Sequence, residues 1–114
     1  MLKSPVRTIE DLLNILNKIN RTNLIFFVGA FGPFHVGHFD NALLAANYFN
    51  ALTVIAPIEN IPHKPDVLPY QLRTNIIDVS IQNYPHLIRL EETDELNSEN
   101  FMLVLNGYMI FSFI

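Results

Sequence analysis

Two histidines stand three residues apart in Gly29-Ala30-Phe31-Gly32-Pro33-Phe34-His35-Val36-Gly37-His38, where an apolar run breaks into a turn and then resumes with a helical pattern. On an opening helical turn, residues three apart project to the same side. His35 and His38 can therefore aim two ring N–H groups at one point. The backbone N–H groups of a glycine-rich turn and of a helix start form a positive concavity that suits phosphate oxygens. Gly37 leaves out a side chain where such an anion would pass close to the main chain. The chemistry these residue types favour is electrostatic stabilisation of phosphate groups during phosphoryl transfer.

Other phosphate motifs fit less well. The dinucleotide fingerprint G-x-G-x-x-G fails at its second glycine, because Gly29-Ala30-Phe31-Gly32 has the wrong spacing. Gly32 and Gly37 have the gap of a P-loop, yet His38 and Phe39 occupy the places of its lysine and its hydroxyl residue. A zinc site of His35, His38 and His63 would lack a fourth ligand at convincing spacing, and the chain has no cysteine. No protein-bound metal is expected. A purely structural histidine pair is the plain alternative, weakened by the glycines and the proline that stand in register with it.

The elements that must hold this turn can be read from periodicity. Thr8 precedes Ile9, Leu12, Leu13, Leu16 and Ile19, with Asp11 at the third helical position, which predicts a capped amphipathic helix ending near Asn20. NLIFFVGAF reads as a strand buried on both faces. A helix with Phe39, Leu43, Ala46 and Phe49 on one side follows, then the strand ALTVIAPI, closed by Pro57. The proline-rich loop ENIPHKPDVLP leads to a third helix expected to bury Leu72, Ile76 and Val79, with Asn83-Tyr84-Pro85 as its stop. HLIRLEE is a third strand. After a polar connection, Ser98 is expected to cap a short helix that Gly107 ends, and YMIFSFI reads as a fourth strand.

Strands alternating with helices imply right-handed crossovers and an α/β, Rossmann-like, doubly wound parallel sheet of about four strands. Ligands in such sheets sit at the carboxyl ends of the strands, where strand order reverses. Residues 1–22 read as an N-terminal amphipathic helix extension and residues 23–114 as the domain that carries the site.

The ten-residue segment resembles the H-x-G-H motif of the nucleotidyltransferase superfamily, set in its longer G-x-F-x-P-x-H-x-G-H pattern. Pro62-His63-Lys64 and Arg73 resemble the P-H-K loop and the following arginine helix of bacterial-type nicotinate mononucleotide adenylyltransferases. The resemblance implies the first half of a nucleotidyltransferase fold. It also implies adenylyl transfer from ATP to nicotinate or nicotinamide mononucleotide in NAD biosynthesis, giving a dinucleotide and pyrophosphate. By it, His35 and His38 are catalytic, Gly29, Ala30, Phe31, Gly37 and Lys64 bind ATP or its phosphates, and Arg73 binds the acceptor. Mg²⁺ would arrive on the phosphates. Alternatives are another cytidylyl- or adenylyltransferase with the same histidine motif, or a weakly active nucleotide-binding remnant or interaction protein.

The chain departs from that pattern in four places. Gly32 stands where the family usually has an acidic residue, which is expected to loosen the loop. NSENFMLVLNG lacks the aromatic-plus-threonine pattern that helps hold the pyridine ring. The family usually begins near the first strand, without the preceding helix. The sequence also ends inside the fourth strand, before the family's Ser/Thr-rich arginine motif, so little turnover is expected of the chain alone.

Bulk composition narrows the class. Half of the 114 residues are hydrophobic, 16% are charged, and the formal charge is −4, a balance that suits a folded domain and opposes nucleic-acid binding. The amino terminus lacks a signal-peptide pattern, and a cytoplasmic setting is expected. The apolar tail FMLVLNGYMIFSFI holds 14 residues interrupted by Asn106 and Gly107, whereas a membrane span needs about 20. An apolar fourth strand at a sheet edge is the expected route to self-association.

Overall fold

A computed structural model describes residues 2–61 and 67–113, with the backbone alone described for 111–113. Strands β1 (Asn23–Gly29), β2 (Ala51–Pro57), β3 (Leu87–Arg89) and β4 (Met109–Phe113) alternate with helices α1 (Ile9–Ile19), α2 (Val36–Tyr48), α3 (Tyr70–Ile81) and α4 (Phe101–Val104). The strands are all parallel, in the order β3-β2-β1-β4. The chain moves outward from β1 to β3 and then returns to the other side of β1. Strand order therefore reverses at β1, and the turn after this strand lies at the switch point. This is the Rossmann-like α/β fold expected from the alternation.

Two layers cover the sheet because side chains alternate along each strand. Leu24, Phe26 and Val28 of β1 share one core with Leu52 and Val54 of β2, Leu12 and Leu16 of α1, and Phe101 of α4. Phe27 shares the other with Ala42 and Ala46 of α2, Ile77 and Ile81 of α3, Ile55 and Leu87. All of β2 is buried, as befits a central parallel strand. Phe101 holds α4 to the sheet by stacking on Phe26, ring centroids 4.3 Å apart.

Helix α1 starts and stops where its sequence predicts. The Thr8 hydroxyl accepts from the Asp11 N–H at 3.0 Å, the Asp11 carboxylate accepts in return from the Thr8 N–H at 3.2 Å, and Asn20 closes the helix in the left-handed region. Ahead of it, Val6 pairs in parallel with Leu90, extending the sheet beyond the β3 edge.

Two helices differ from expectation. In α3 the buried residues are Arg73, Thr74, Ile77 and Ile81, while Leu72 and Val79 are 45% and 57% exposed. Ile76 is partly buried. The helix is rotated because the Arg73 guanidinium finds acceptors inside, which turns Ile77 and Ile81 toward Leu87. Asp78 lies near the boundary and takes a two-pronged bond from Arg89 of β3, at 2.8 and 3.0 Å, while Glu91 accepts from the same guanidinium at 2.6 Å. Helix α4 is shorter than expected and ends at Val104, before Gly107. The Asn97 carboxamide, and not Ser98, accepts from the Glu99 and Asn100 N–H groups at its entry. Gly107 instead supplies a φ of 106° in the turn into β4.

The rotated α3 face is open to a stability test. Ile77→Ala is expected to lower unfolding stability by about 2–5 kcal/mol through loss of packing, and Val79→Ser to change it by no more than about 0.5 kcal/mol. Urea denaturation of the two variants checks this, and the reverse ranking would mean the helix sits in the phase its sequence suggested.

Candidate functional site

The turn after β1 is built on aromatic rings. Phe31, at φ 47°, is buried, stacks on Phe27 with ring centroids 5.4 Å apart, and meets His38 edge-on at 5.1 Å. Phe34 is also buried and lies nearly parallel to His38 at 5.7 Å. A β-carbon on Gly29 would come 3.3 Å from the Phe31 ring, so the small residue lets that ring tuck under the strand end. Phe31 thus lines the site while its side chain supports His38, a role not apparent from the motif alone.

His35 is the N-cap of α2. Its Nδ1 accepts from the Gly37 N–H at 3.0 Å and from the His38 N–H at 3.4 Å, while Nδ1 of His38 accepts from the His35 N–H at 3.2 Å. The arrangement is a reciprocal capping box in which both side chains are imidazoles. The rings stack 3.7 Å apart and 21° from parallel. Because both Nδ1 atoms accept, each neutral ring carries its proton on Nε2. Among the described residues neither Nε2 has a hydrogen-bond partner, so the pair presents two uncommitted donors. Burial, with a smaller contribution from the His35 charge, holds the His38 pKa below its ordinary value and favours this neutral form.

Gly37 has a packing role that its place in the motif did not suggest. A β-carbon there would lie 2.9 Å from Cε1 and 3.1 Å from Nδ1 of His35, so the missing side chain makes room for the capping ring. Gly37 is also off the cavity wall. Gly32 is packed rather than loose, since a β-carbon on it would meet Val67 at 3.0 Å.

The turn opens on a cavity of about 880 Å³. Gly29, Ala30, Phe31, His35 and His38 line one end, and Asn41, Leu44, Ala45 and Tyr48 continue the wall along α2. Asn41 was missed in the sequence. Its signal is the helical spacing from His38 through Asn41 and Ala45 to Tyr48, which sets a polar group one turn beyond the histidines.

Arg73, expected to contact an acceptor, is buried and away from the cavity wall. It donates from Nε to the Leu68 carbonyl at 2.8 Å and from its terminal nitrogens to Ala30 at 2.8 Å, Ile58 at 2.7 Å and Glu59 at 2.9 Å. Among the described residues no carboxylate pairs with it. The guanidinium fork instead ties the histidine turn to the chain leaving β2 and to the entry of α3, because it can reach several carbonyls at once. His63 and Lys64 lie outside the described residues. The described residues contain no cluster of three His, Asp or Glu side chains able to hold a metal ion.

A doubly wound parallel sheet with an open site at its switch point defines a Rossmann-like α/β protein. Within that class, the cytidylyltransferase-like family model matches residues 26–110, most of the chain and the whole of the histidine turn. The chain belongs to the cytidylyltransferase-like family, within the nucleotidyltransferase superfamily, and this membership supports a nucleotidyltransferase-type function. No curated protein matches it. No helix among the described residues is long and apolar enough to cross a membrane.

Arg73 is testable apart from any activity. Each hydrogen bond from a charged group contributes about 1.5–3 kcal/mol, so Arg73→Met, which leaves four carbonyls without their donor, is expected to destabilise by more than about 3 kcal/mol. Arg73→Lys should recover only part of this, since an ammonium cannot span the same carbonyls. Chemical denaturation distinguishes the cases. Near-native stability of Arg73→Met would show that the four bonds are dispensable.

Proposed function

We propose that the chain binds MgATP through the histidine turn and serves adenylyl transfer to nicotinate or nicotinamide mononucleotide. The observation that supports this most is the pair of stacked imidazoles at the amino end of α2, lining an open cavity, with neither Nε2 partnered among the described residues. Two neutral N–H donors suit the α- and β-phosphates of a nucleoside triphosphate. In the reaction, a 5′-phosphate oxygen of the mononucleotide bonds to the α-phosphorus of ATP. The bond from that phosphorus to the bridging oxygen breaks, and pyrophosphate leaves with the electron pair. The nucleophile is already an anion near neutral pH, so no general base is needed. The protein's part is positioning and charge stabilisation.

Gly29, Ala30 and Phe31 form the cradle beside the two histidines, and Gly37 serves it indirectly by admitting the His35 ring. Lys64, by the same resemblance, adds a cation from the loop after β2. Mg²⁺ enters as part of the nucleotide substrate. A cytoplasmic setting and self-association through the edge strand β4 belong to the same proposal.

A second reading, another cytidylyl- or adenylyltransferase of the family, is favoured by one observation. Arg73 spends its donors on backbone carbonyls, which removes one of the two supports for a pyridine acceptor. The remnant reading predicts nucleotide binding without turnover.

Pyrophosphate release measured with ATP or CTP against a panel of phosphorylated acceptors separates the three. Release with ATP and a pyridine mononucleotide supports the first reading, and release with CTP or another acceptor supports the second. Binding alone supports the remnant. His35→Ala or His38→Ala is expected to cut any turnover by about 10²–10³, as loss of one anion-stabilising donor does elsewhere. Unchanged turnover would remove the histidines from the mechanism.

A further inference from the structure

The capping box of α2 has a consequence beyond ligand binding. In its usual form a hydroxyl caps the helix and a carboxylate or carboxamide closes the box, and these acceptors persist across the neutral range. Here both acceptors are imidazole nitrogens, which disappear as acceptors when they take a proton. We propose that His35-Val36-Gly37-His38 is an acid-labile capping box, so that protonation of either ring undoes the first turn of α2 and with it the anion cradle.

The geometry leaves a second proton little accommodation. Nδ1 of His35 faces the N–H groups of Gly37 and His38, and Nδ1 of His38 faces the N–H of His35. A proton on either nitrogen puts donor against donor. It also sets a charge on one of two rings stacked 3.7 Å apart. The other surroundings of His38 are Phe31 and Phe34, neither of which can stabilise a cation through a carboxylate. On α2 itself Asp40 is the sole carboxylate, and it is exposed and bonded to neither ring. From the chain beyond β2, Val67 is the described residue that reaches the cavity, and it carries no charge. The pair therefore has no built-in counter-ion among the described residues.

The sign follows from linkage. Burial and the neighbouring ring depress the folded-state pKa of His38. The capped turn is then fully present above the ordinary imidazole pKa of about 6.5 and is lost as pH falls through the depressed folded value. An ordinary histidine site tightens on anions in acid, because imidazolium is a cation. This one weakens, because the ring that gains charge abandons the helix start. That consequence for anions rests on the phosphate-binding reading; the lability of the cap does not.

Nuclear magnetic resonance of the intact chain tests it. At about pH 8, where ordinary imidazoles are neutral, both rings should show a protonated Nε2 and an acceptor Nδ1. On acidification, the amide signals of His35, Gly37 and His38 should move together with the ring titration. In the double variant His35→Asn, His38→Gln, whose carboxamides cap without titrating, the same amides should stay still. Three results would overturn the proposal: a protonated Nδ1 on either ring at that pH, static amides while the wild-type rings titrate, or an identical amide titration in the variant. The wild-type measurement decides the matter even should the variant not fold. Sulfate, dianionic throughout, should bind the wild type less tightly below the pH at which the His38 ring is seen to titrate than at about pH 7.5, above the ordinary imidazole pKa. Tighter binding in acid would contradict the coupling, and no binding at either pH would count against the phosphate reading alone.

Discussion

A helix begins with backbone N–H groups that have no partner within it, and something must accept from them. At α2 the acceptors are the side chains proposed to carry the chemistry. Nδ1 of each histidine is committed to the helix start, which fixes the tautomer and leaves the proton of each neutral ring on Nε2. One set of bonds orients both rings and completes the helix start. The surrounding residue choices follow from that economy. Gly37 is small because the His35 ring lies against it, while Phe34 lies face to face with the His38 ring and Phe31 meets that ring at a steep angle.

The rest of the fold supports this turn from beneath. β1 is central in the sheet and delivers the turn at the point where strand order reverses. Arg73 then fixes the turn sideways, binding the Ala30 carbonyl with those of Ile58 and Glu59 beyond β2. A buried cation surrounded by carbonyl dipoles is costly to create and costly to disturb. Such an arrangement is rigid and suits a site whose task is positioning. Arg89 does comparable work at the far edge with carboxylate partners, locking α3 to β3 through Asp78.

The features legible in the sequence are those with local signals. α1 combines an apolar stripe with Thr8 and Asp11 at capping positions, and its bounds follow. β1 and β2 show largely apolar runs because parallel strands are covered on both sides. The histidine turn is visible through its spacing. Less legible are the features that depend on distant partners. The phase of α3 could not be read because its apolar residues do not form one stripe, and its deepest side chain is an arginine whose acceptors lie in three other segments. Asn97 rather than Ser98 orders the turn before α4, because its carboxamide oxygen accepts from two N–H groups there. The reciprocal cap was hidden for a different reason. Histidine is seldom counted among helix-capping residues, so the motif reads as phosphate chemistry and its structural half goes unseen.

In the proposed function, the two Nε2–H groups grip the phosphates of a nucleotide. Titrating the ¹⁵N-labelled chain with MgATP at neutral pH, while observing the imidazole nitrogens, tests this most directly. Saturable shifts at Nε2 of both His35 and His38, with Nδ1 of each still accepting from the backbone, are the predicted result. Nε2 signals that stay fixed as nucleotide is added, or rings that surrender Nδ1 to reach it, would contradict the account.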